Sequence, residues 1–180
     1  SPFKGKSLAD VSPSDRLSEL DFEMSLAKLS QGVLASDIGK VLKSSLHASD
    51  ALYAYADSIC DSSFDIPLAG LLNGSIDAVL RIHTGEGSPR LFVTDYKTNR
   101  LDNDEVISLM DAYAPRELVR AMAHHHYPLQ ALLYGTAMYR MLRWRRPDLD
   151  ADEVIAGIAY FFVRGMVGAG SPLDAEGMPY

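Results

Sequence analysis

The sequence predicts a mixed α/β domain, and three observations carry that prediction. Two strand-like runs flank a glycine-rich turn in "LLNGSIDAVLRIHTGEGSPRLFVTDYKTNR", residues 71–100. Segments with helical spacing lie on both sides of this hairpin, and an apolar run, "DEVIAGIAYFFVRG", follows the second helical block. The resulting order of strand, helices, hairpin, helices and strand is that of a layered α/β unit. At 180 residues the chain is long enough to bury a core as one domain.

Taken in order, "SPFKGKSLADVSPSD" has no period and reads as a tail or linker over residues 1–15. The absence of an initial Met reads as a fragment or processed product. "RLSELDFEMSLAKL" alternates, with Leu17, Leu20, Phe22, Met24 and Leu26 mostly on one parity and Glu19, Asp21 and Glu23 on the other, which predicts an amphipathic strand. "ASDIGKVLKSSL" has helical spacing at Ile38, Val41 and Leu42, with Ser36 or Asp37 as N-cap. "ASDALYAYADSI" predicts a second short helix. Beyond the hairpin, "PRELVRAMAHHHYPLQALLYGTAMYRMLRWRR" is helical, with Pro115 suited to a first turn and Pro128 dividing the region or opening its second helix. "DEVIAGIAYFFVRG" predicts a buried strand. The domain is placed at residues 16–168 and a C-terminal tail at 169–180.

Composition narrows the function classes. Apolar residues make up 47% and charged residues 23%, as in ordinary globular chains. No apolar run is long enough to cross a bilayer, and the N-terminus has no signal-peptide pattern. The single cysteine, Cys60, excludes an internal disulfide and an all-cysteine metal or iron–sulfur site within the chain, and fits a cytoplasmic location. The net charge of −7 lacks the basic face expected of a protein that grips nucleic acid unaided. Basic residues gather in "RMLRWRR" as Arg140, Arg143, Arg145 and Arg146. This cluster is either a solvated helix end that complements the dipole or a phosphate-contacting edge.

The hairpin places charge where apolar residues are expected. Asp95 and Lys97 point the same way, because side chains alternate along a strand. A symmetric turn centred on Glu86 sets Asp77 opposite Asp95, and sets Ile76, Leu80 and Ile82 against Phe92 and Tyr96 on the other face. Facing carboxylates have Cβ atoms roughly 4.5–5.5 Å apart and repel, so they call for a cation between them. Oxygen ligands favour Mg²⁺, Mn²⁺ or Ca²⁺. A water on such an ion is acidified into a nucleophile, and Lys97 is placed to offset charge on a phosphate oxygen. The bland alternative for Asp95 and Lys97 is an exposed ion pair at a strand end.

"GSIDAVL", "VTDYKTNRL", "YPLQALLYGTAMYRML" and "AGIAYFFVRG" together resemble a RecB-family nuclease of the PD-(D/E)xK superfamily, over residues 17 to 168. The resemblance implies a restriction-endonuclease-like fold, a mixed central sheet flanked by helices. It implies Asp77 and Asp95 as metal-binding carboxylates, the backbone carbonyl of Tyr96 as a further ligand, and Lys97 as the catalytic lysine. Gln130 and Tyr134 match the family's Gln-x-x-x-Tyr pair; their i, i+4 spacing puts them on one helical face with Tyr127, directed toward the DNA or the catalytic lysine, a stripe that ordinary packing also explains. Glu19 matches the family's early acidic strand, although Asp21 and Glu23 share its face and all three also fit a solvated strand face. The family's upstream histidine ligand has no counterpart before Glu19. His124, His125 and His126 cannot share one helical face and read as polar helix-end residues.

The implied function is a Mg²⁺-dependent deoxyribonuclease domain of an exodeoxyribonuclease V-type helicase-nuclease, acting in double-strand break repair and recombination. Mn²⁺ or Ca²⁺ would occupy the same site. The implied partners are DNA, helicase domains of a full-length chain, and RecC-like and RecD-like subunits of a heterotrimer. ATP would enter only through helicase domains outside this chain. Two alternatives stand beside it: a non-catalytic module that binds DNA or partner subunits on a nuclease-like fold, and a standalone nuclease for branched or flapped substrates.

Overall fold

A computed structural model describes residues 7–26, 32–61, 67–83, 89–101, 111–166 and 168. The hairpin turn around Glu86, the segment "NDEVISLM" and the C-terminal tail lie outside the described residues.

The strands are β1 (Arg16–Ser25), β2 (Val33–Leu34), β3 (Pro67–Leu68), β4 (Leu71–Ile82), β5 (Arg90–Lys97) and β6 (Ile155–Phe162). The helices are α1 (Ala35–Ser45), α2 (Tyr53–Ser58), α3 (Pro115–His124), α4 (Tyr127–Arg145) and α5 (Ala151–Val154). Four strands form a mixed sheet in the order β1-β4-β5-β6, and β2 pairs with β3 separately. β4 is antiparallel to both β1 and β5, whereas β6 runs parallel to β5. Parallel strands need a crossover, and α3, α4 and α5 lie in it. This is the α/β architecture with helices flanking a mixed sheet that the sequence predicts.

Each sheet face has its own cover. Val79 and Val93 point toward α4, where Tyr134 and Met138 close a cluster that also holds Ile76. On the other face Ala78, Leu80, Ile82 and Phe92 pack with Val11, and Leu8, Tyr96 and Ala156 border them. The segment read as a tail is therefore ordered over its second half. Its two 3-10 turns, Leu8–Asp10 and Pro13–Asp15, carry Val11 onto the sheet.

Some local expectations are corrected. The N-cap of α1 is Leu34, and Asp37 sits one turn in, its carboxylate accepting the Leu34 N–H at 3.2 Å. The buried face of α1 is Ala35, Ser36 and Gly39, while Val41 is 66% exposed, because this helix packs through small residues. β6 is half-buried except at Phe162, and "DEV" at its start completes α5 rather than the strand. Between Leu91 and Phe92 the β5–β6 register shifts, so β6 holds one extra residue. Gly157, at φ 147°, supplies the backbone conformation this bulge requires. Pro115 and Pro128 both occupy first turns, and His126, at φ 54°, makes the break between α3 and α4. The three histidines are thus helix-end residues, as their spacing predicts.

Candidate active site

The β4–β5 register is the one the symmetric turn predicts: Leu80 pairs with Phe92, Val79 with Val93 and Ala78 with Thr94. The ladder stops there, one step before Asp77 and Asp95. Asp77 is missing from the β1 ladder too, where Leu20–Ile76 and Ser18–Ala78 are paired but Glu19, at φ 51°, is not. At this gap the Asp77 side chain substitutes for a main-chain acceptor, and its Oδ2 receives the Tyr96 N–H at 2.7 Å. The irregularity also reverses the alternation. Ile76 joins Val79 under α4, not Leu80 on the opposite face as predicted.

Asp95 is 3% exposed at the centre of the sheet. Its Oδ1 lies 2.7 Å from Lys97 Nζ. Beyond this ion pair, Oδ1 has no hydrogen-bond partner among the described residues. The other oxygen, Oδ2, accepts from the Tyr134 hydroxyl at 3.3 Å. Asp95 and Lys97 thus share a face as predicted, but as a buried pair, which removes the exposed-ion-pair alternative.

α4 supplies the rest of the setting. Gln130 accepts from Lys97 Nζ at 3.0 Å through Oε1 and donates from Nε2 to the Tyr134 hydroxyl at 2.8 Å. The i, i+4 pair is therefore a relay joining both ends of the Asp95–Lys97 ion pair to one helix. Gly74 helps to place it. A Cβ on this residue would sit 2.7 Å from Phe22 Cζ, and its absence lets Phe22 lie over the strand, edge-on to Tyr134 at 6.0 Å.

The structure sets Tyr127 against the lysine, as its helical face predicts, and adds Tyr160, which the sequence did not single out. Lys97 Nζ lies 4.0 Å from the Tyr127 ring centroid and 5.3 Å from that of Tyr160. Tyr160, the parallel-strand partner of Asp95, places its hydroxyl 3.0 Å from the Tyr127 carbonyl and 3.2 Å from Gln130 Oε1, and its one proton is shared between these two acceptors. Tyr127 in turn donates to Asn99 Oδ1 at 3.1 Å. The only sequence signal for Tyr127 was its helical face, and Tyr160 read as strand core. Burial first, then the nearby Asp95 and Asp77 charges, push the Tyr134 phenol up to about 12. Burial and then the Asp95 charge raise the Tyr160 phenol as well. Both hydroxyls stay protonated and act as donors near neutral pH.

Asp77, Asp95 and Lys97 sum to one negative charge, with one buried carboxylate oxygen lacking a hydrogen bond, which suits a hard cation held by oxygen. Among the described residues no three His, Cys, Asp or Glu side chains converge as a metal site. Glu19, Asp21 and Glu23 are exposed and do not complete such a set. Two carboxylates would leave waters on the ion, as Mg²⁺ prefers.

No protein-family model matches the chain. Curated relatives do. The chain is 42% identical over 180 residues to the RecBCD enzyme subunit RecB of Mycolicibacterium smegmatis, an alignment covering 97% of this chain and 16% of that protein. Against the same subunit of Mycobacterium tuberculosis H37Rv the identity is 42% over 174 residues, with 93% of this chain and 15% of the relative covered. The chain belongs to the RecB family. Its likeness extends to the RecB subunit of Escherichia coli at 32% identity over 162 residues, 90% of this chain and 12% of that one. The RecB-family chain thus spans no more than 16% of the length of these relatives. Its α/β fold with a mixed four-stranded sheet fits a nuclease-like member of the family. No described helix is long and apolar enough to cross a membrane.

Proposed function

We propose that this chain is a Mg²⁺-dependent DNA nuclease domain of a RecBCD-type helicase-nuclease. The observation that carries the reading is the buried Asp95–Lys97 pair beside Asp77, with a carboxylate oxygen met only by the lysine and helix α4 holding both charges in place. Asp77 through its free oxygen, Asp95 and the Tyr96 carbonyl would hold Mg²⁺, with Mn²⁺ or Ca²⁺ as substitutes. Such an ion supplies a water of lowered pKa and polarises a phosphoryl oxygen.

The chain's own residues fix the geometry. Asp77 is anchored by the Tyr96 N–H and Asp95 by the Tyr134 hydroxyl, so neither carboxylate rotates freely toward solvent. Lys97 has three donors. One meets Gln130 Oε1, one approaches Asp95 Oδ1, and the third faces the aromatic rings. A contact of this last kind is worth only about 0.5–2 kcal/mol, so it is the one a phosphate oxygen displaces. Hydrolysis forms a bond from water oxygen to phosphorus and breaks the bond to the leaving 3′ oxygen. Lys97 offsets the charge that develops on the phosphoryl oxygens.

The relatives' name, RecBCD enzyme subunit RecB, supports a setting within a multisubunit complex. There, helicase domains would deliver DNA using ATP, with RecC-like and RecD-like subunits as partners during double-strand break repair and recombination in the cytoplasm. Linear single- and double-stranded DNA incubated with Mg²⁺ tests the assignment. The chain should degrade it, and Asp95→Ala should not; equal activity in the two sinks the reading.

A further inference from the structure

Helix α4 has a composition unlike the rest of the chain. The protein carries a net charge of −7, yet these 19 residues contain no Asp or Glu. A solvated helix normally mixes both signs. Here the outward surface of the last turns alternates arginine and aromatic residues instead. Arg143 lies 5.8 Å from the Tyr139 ring, and Arg145 lies 5.1 Å from Trp144. Trp144 is 77% exposed.

Complementing the helix dipole accounts for cations in a last turn. It does not account for a bare indole beside them. Arg146 is satisfied by Asp148 at 2.7 Å, and Arg140 donates to the Ser25 carbonyl at 2.9 Å. Arg143 and Arg145 have only their aromatic neighbours among the described residues. An exposed indole with Arg145 against it, and with Arg143 the residue before it in the helix, offers a stacking surface near phosphate donors, the combination that grips single-stranded nucleic acid. Duplex DNA would not use the indole, because its bases are already stacked. Asp21 and Glu23 line the groove between β1 and α4 together with Trp144 and Arg145, and their charge repels phosphates from the β1 side of the platform.

We infer that the C-terminal end of α4 is a second contact for single-stranded DNA, with one base stacked on Trp144 and phosphates held by Arg143 and Arg145. This rests on the nuclease reading only in taking DNA as the substrate. Trp144 lies ten residues from Tyr134, about 15 Å along the helix axis. A strand a few nucleotides long therefore reaches from the platform to Asp95. The platform would hold the strand while the carboxylates act on it, which gives an acidic domain a foothold on DNA.

Trp144 is the sole tryptophan, so its emission reports the site directly. An oligothymidylate titrated into the chain in EDTA should quench Trp144 saturably, and Asp95→Asn should quench to the same extent. Arg143→Ala with Arg145→Ala should lower the salt dependence of log K by roughly 1.4, about 0.7 for each phosphate contact. With a labelled oligothymidylate, Trp144→Ala should bind roughly 5- to 150-fold more weakly. Unchanged Trp144 emission across the titration, the outcome if this face contacts another protein, overturns the inference; so does quenching that ignores the two arginines. Quenching without any Mg²⁺-dependent hydrolysis sinks the nuclease reading and leaves the platform standing.

Discussion

Lys97→Met separates a buried charge from its counterion and so tests the site without relying on catalysis. Lys97 Nζ is 2.7 Å from Asp95 Oδ1, with side chains 13% and 4% exposed. Breaking one side of a buried pair costs about 3–5 kcal/mol, because the remaining charge is stranded. The Tyr134 hydroxyl still donates to Asp95 at 3.3 Å, which places the cost toward the lower end of that range. For a domain of this size each kcal/mol moves the melting temperature by about 2–4 °C. Lys97→Met in EDTA should therefore melt roughly 6–12 °C below the parent. Methionine keeps most of the apolar stem, so lost packing contributes little. A cation held by Asp77 and Asp95 then becomes the missing counterion. At 100 times its Kd such an ion restores about 2.7 kcal/mol, and Mg²⁺ or Mn²⁺ should raise the melting temperature of the variant more than that of the parent. Hydrolysis should fall by roughly 10²–10³, the usual loss when one preorganised donor is removed. Calorimetric melting with and without metal provides the check. If the variant melts with the parent in EDTA, or metal shifts both proteins equally, Lys97 is not what neutralises Asp95 and the reasoning fails.

Three further outcomes follow from the same geometry. Asp77→Asn keeps an oxygen that can accept the Tyr96 N–H, now held at 2.7 Å, so the melting temperature should barely move while Mg²⁺-dependent hydrolysis is lost. Comparable loss of both would make Asp77 structural only. The Tyr134 phenol, raised from 10.0 to about 12 in the fold, binds its proton more tightly than in the unfolded chain. Its contribution is full below pH 10 and is lost as pH rises through 12, an alkaline destabilisation of about 3 kcal/mol at 1.36 kcal/mol per unit. Tyr134→Phe should flatten stability against pH in that window, measured by urea unfolding. Gly74→Ala puts a Cβ 2.7 Å from the Phe22 ring. It should cost about 1–3 kcal/mol by overpacking and lower activity by displacing Phe22 against Tyr134; an unchanged melting temperature would show that the ring moves freely.

Much of the fold was legible because its signals are local. The alternation of Leu20, Phe22 and Met24 belongs to one strand, and Pro115 and Pro128 mark helix starts through the restraint they place on their own φ. The β4–β5 register could be counted because a hairpin's geometry is fixed by the few residues of its turn. The failures lie where tertiary contacts overrule local pattern. Val41 has the helical spacing of a core residue, yet α1 packs through Gly39 and Ser36 and leaves Val41 in water. Ile76 has the parity of Leu80, but the ladders omit Asp77, and a strand relieved of pairing at one residue turns its next side chain to the other face.

The candidate site divides along the same line. Asp77, Asp95 and Lys97 could be found by counting, since one hairpin carries all three. Gln130 and Tyr134 needed the resemblance, because i, i+4 polar pairs are common on helices and nothing local says which strand they will meet. The place of Tyr160 beside Lys97 was beyond either route. Tyr160 reaches it from β6, the strand that joins the sheet parallel to β5 after the helical crossover, so its register on Asp95 is set by the bulge at Gly157. Shifting that register by one residue would put an alternate side chain opposite Asp95 and turn Tyr160 to the other face. The ring environment of the lysine therefore depends on a backbone irregularity about three residues from Tyr160, itself visible in the sequence only as a glycine in an otherwise apolar run. Tyr160 then works through Gln130: its hydroxyl at 3.2 Å and the lysine at 3.0 Å share the same Oε1. A carbonyl oxygen with two donors fixed about it has little freedom to rotate, and that constraint gives Lys97 one position rather than several.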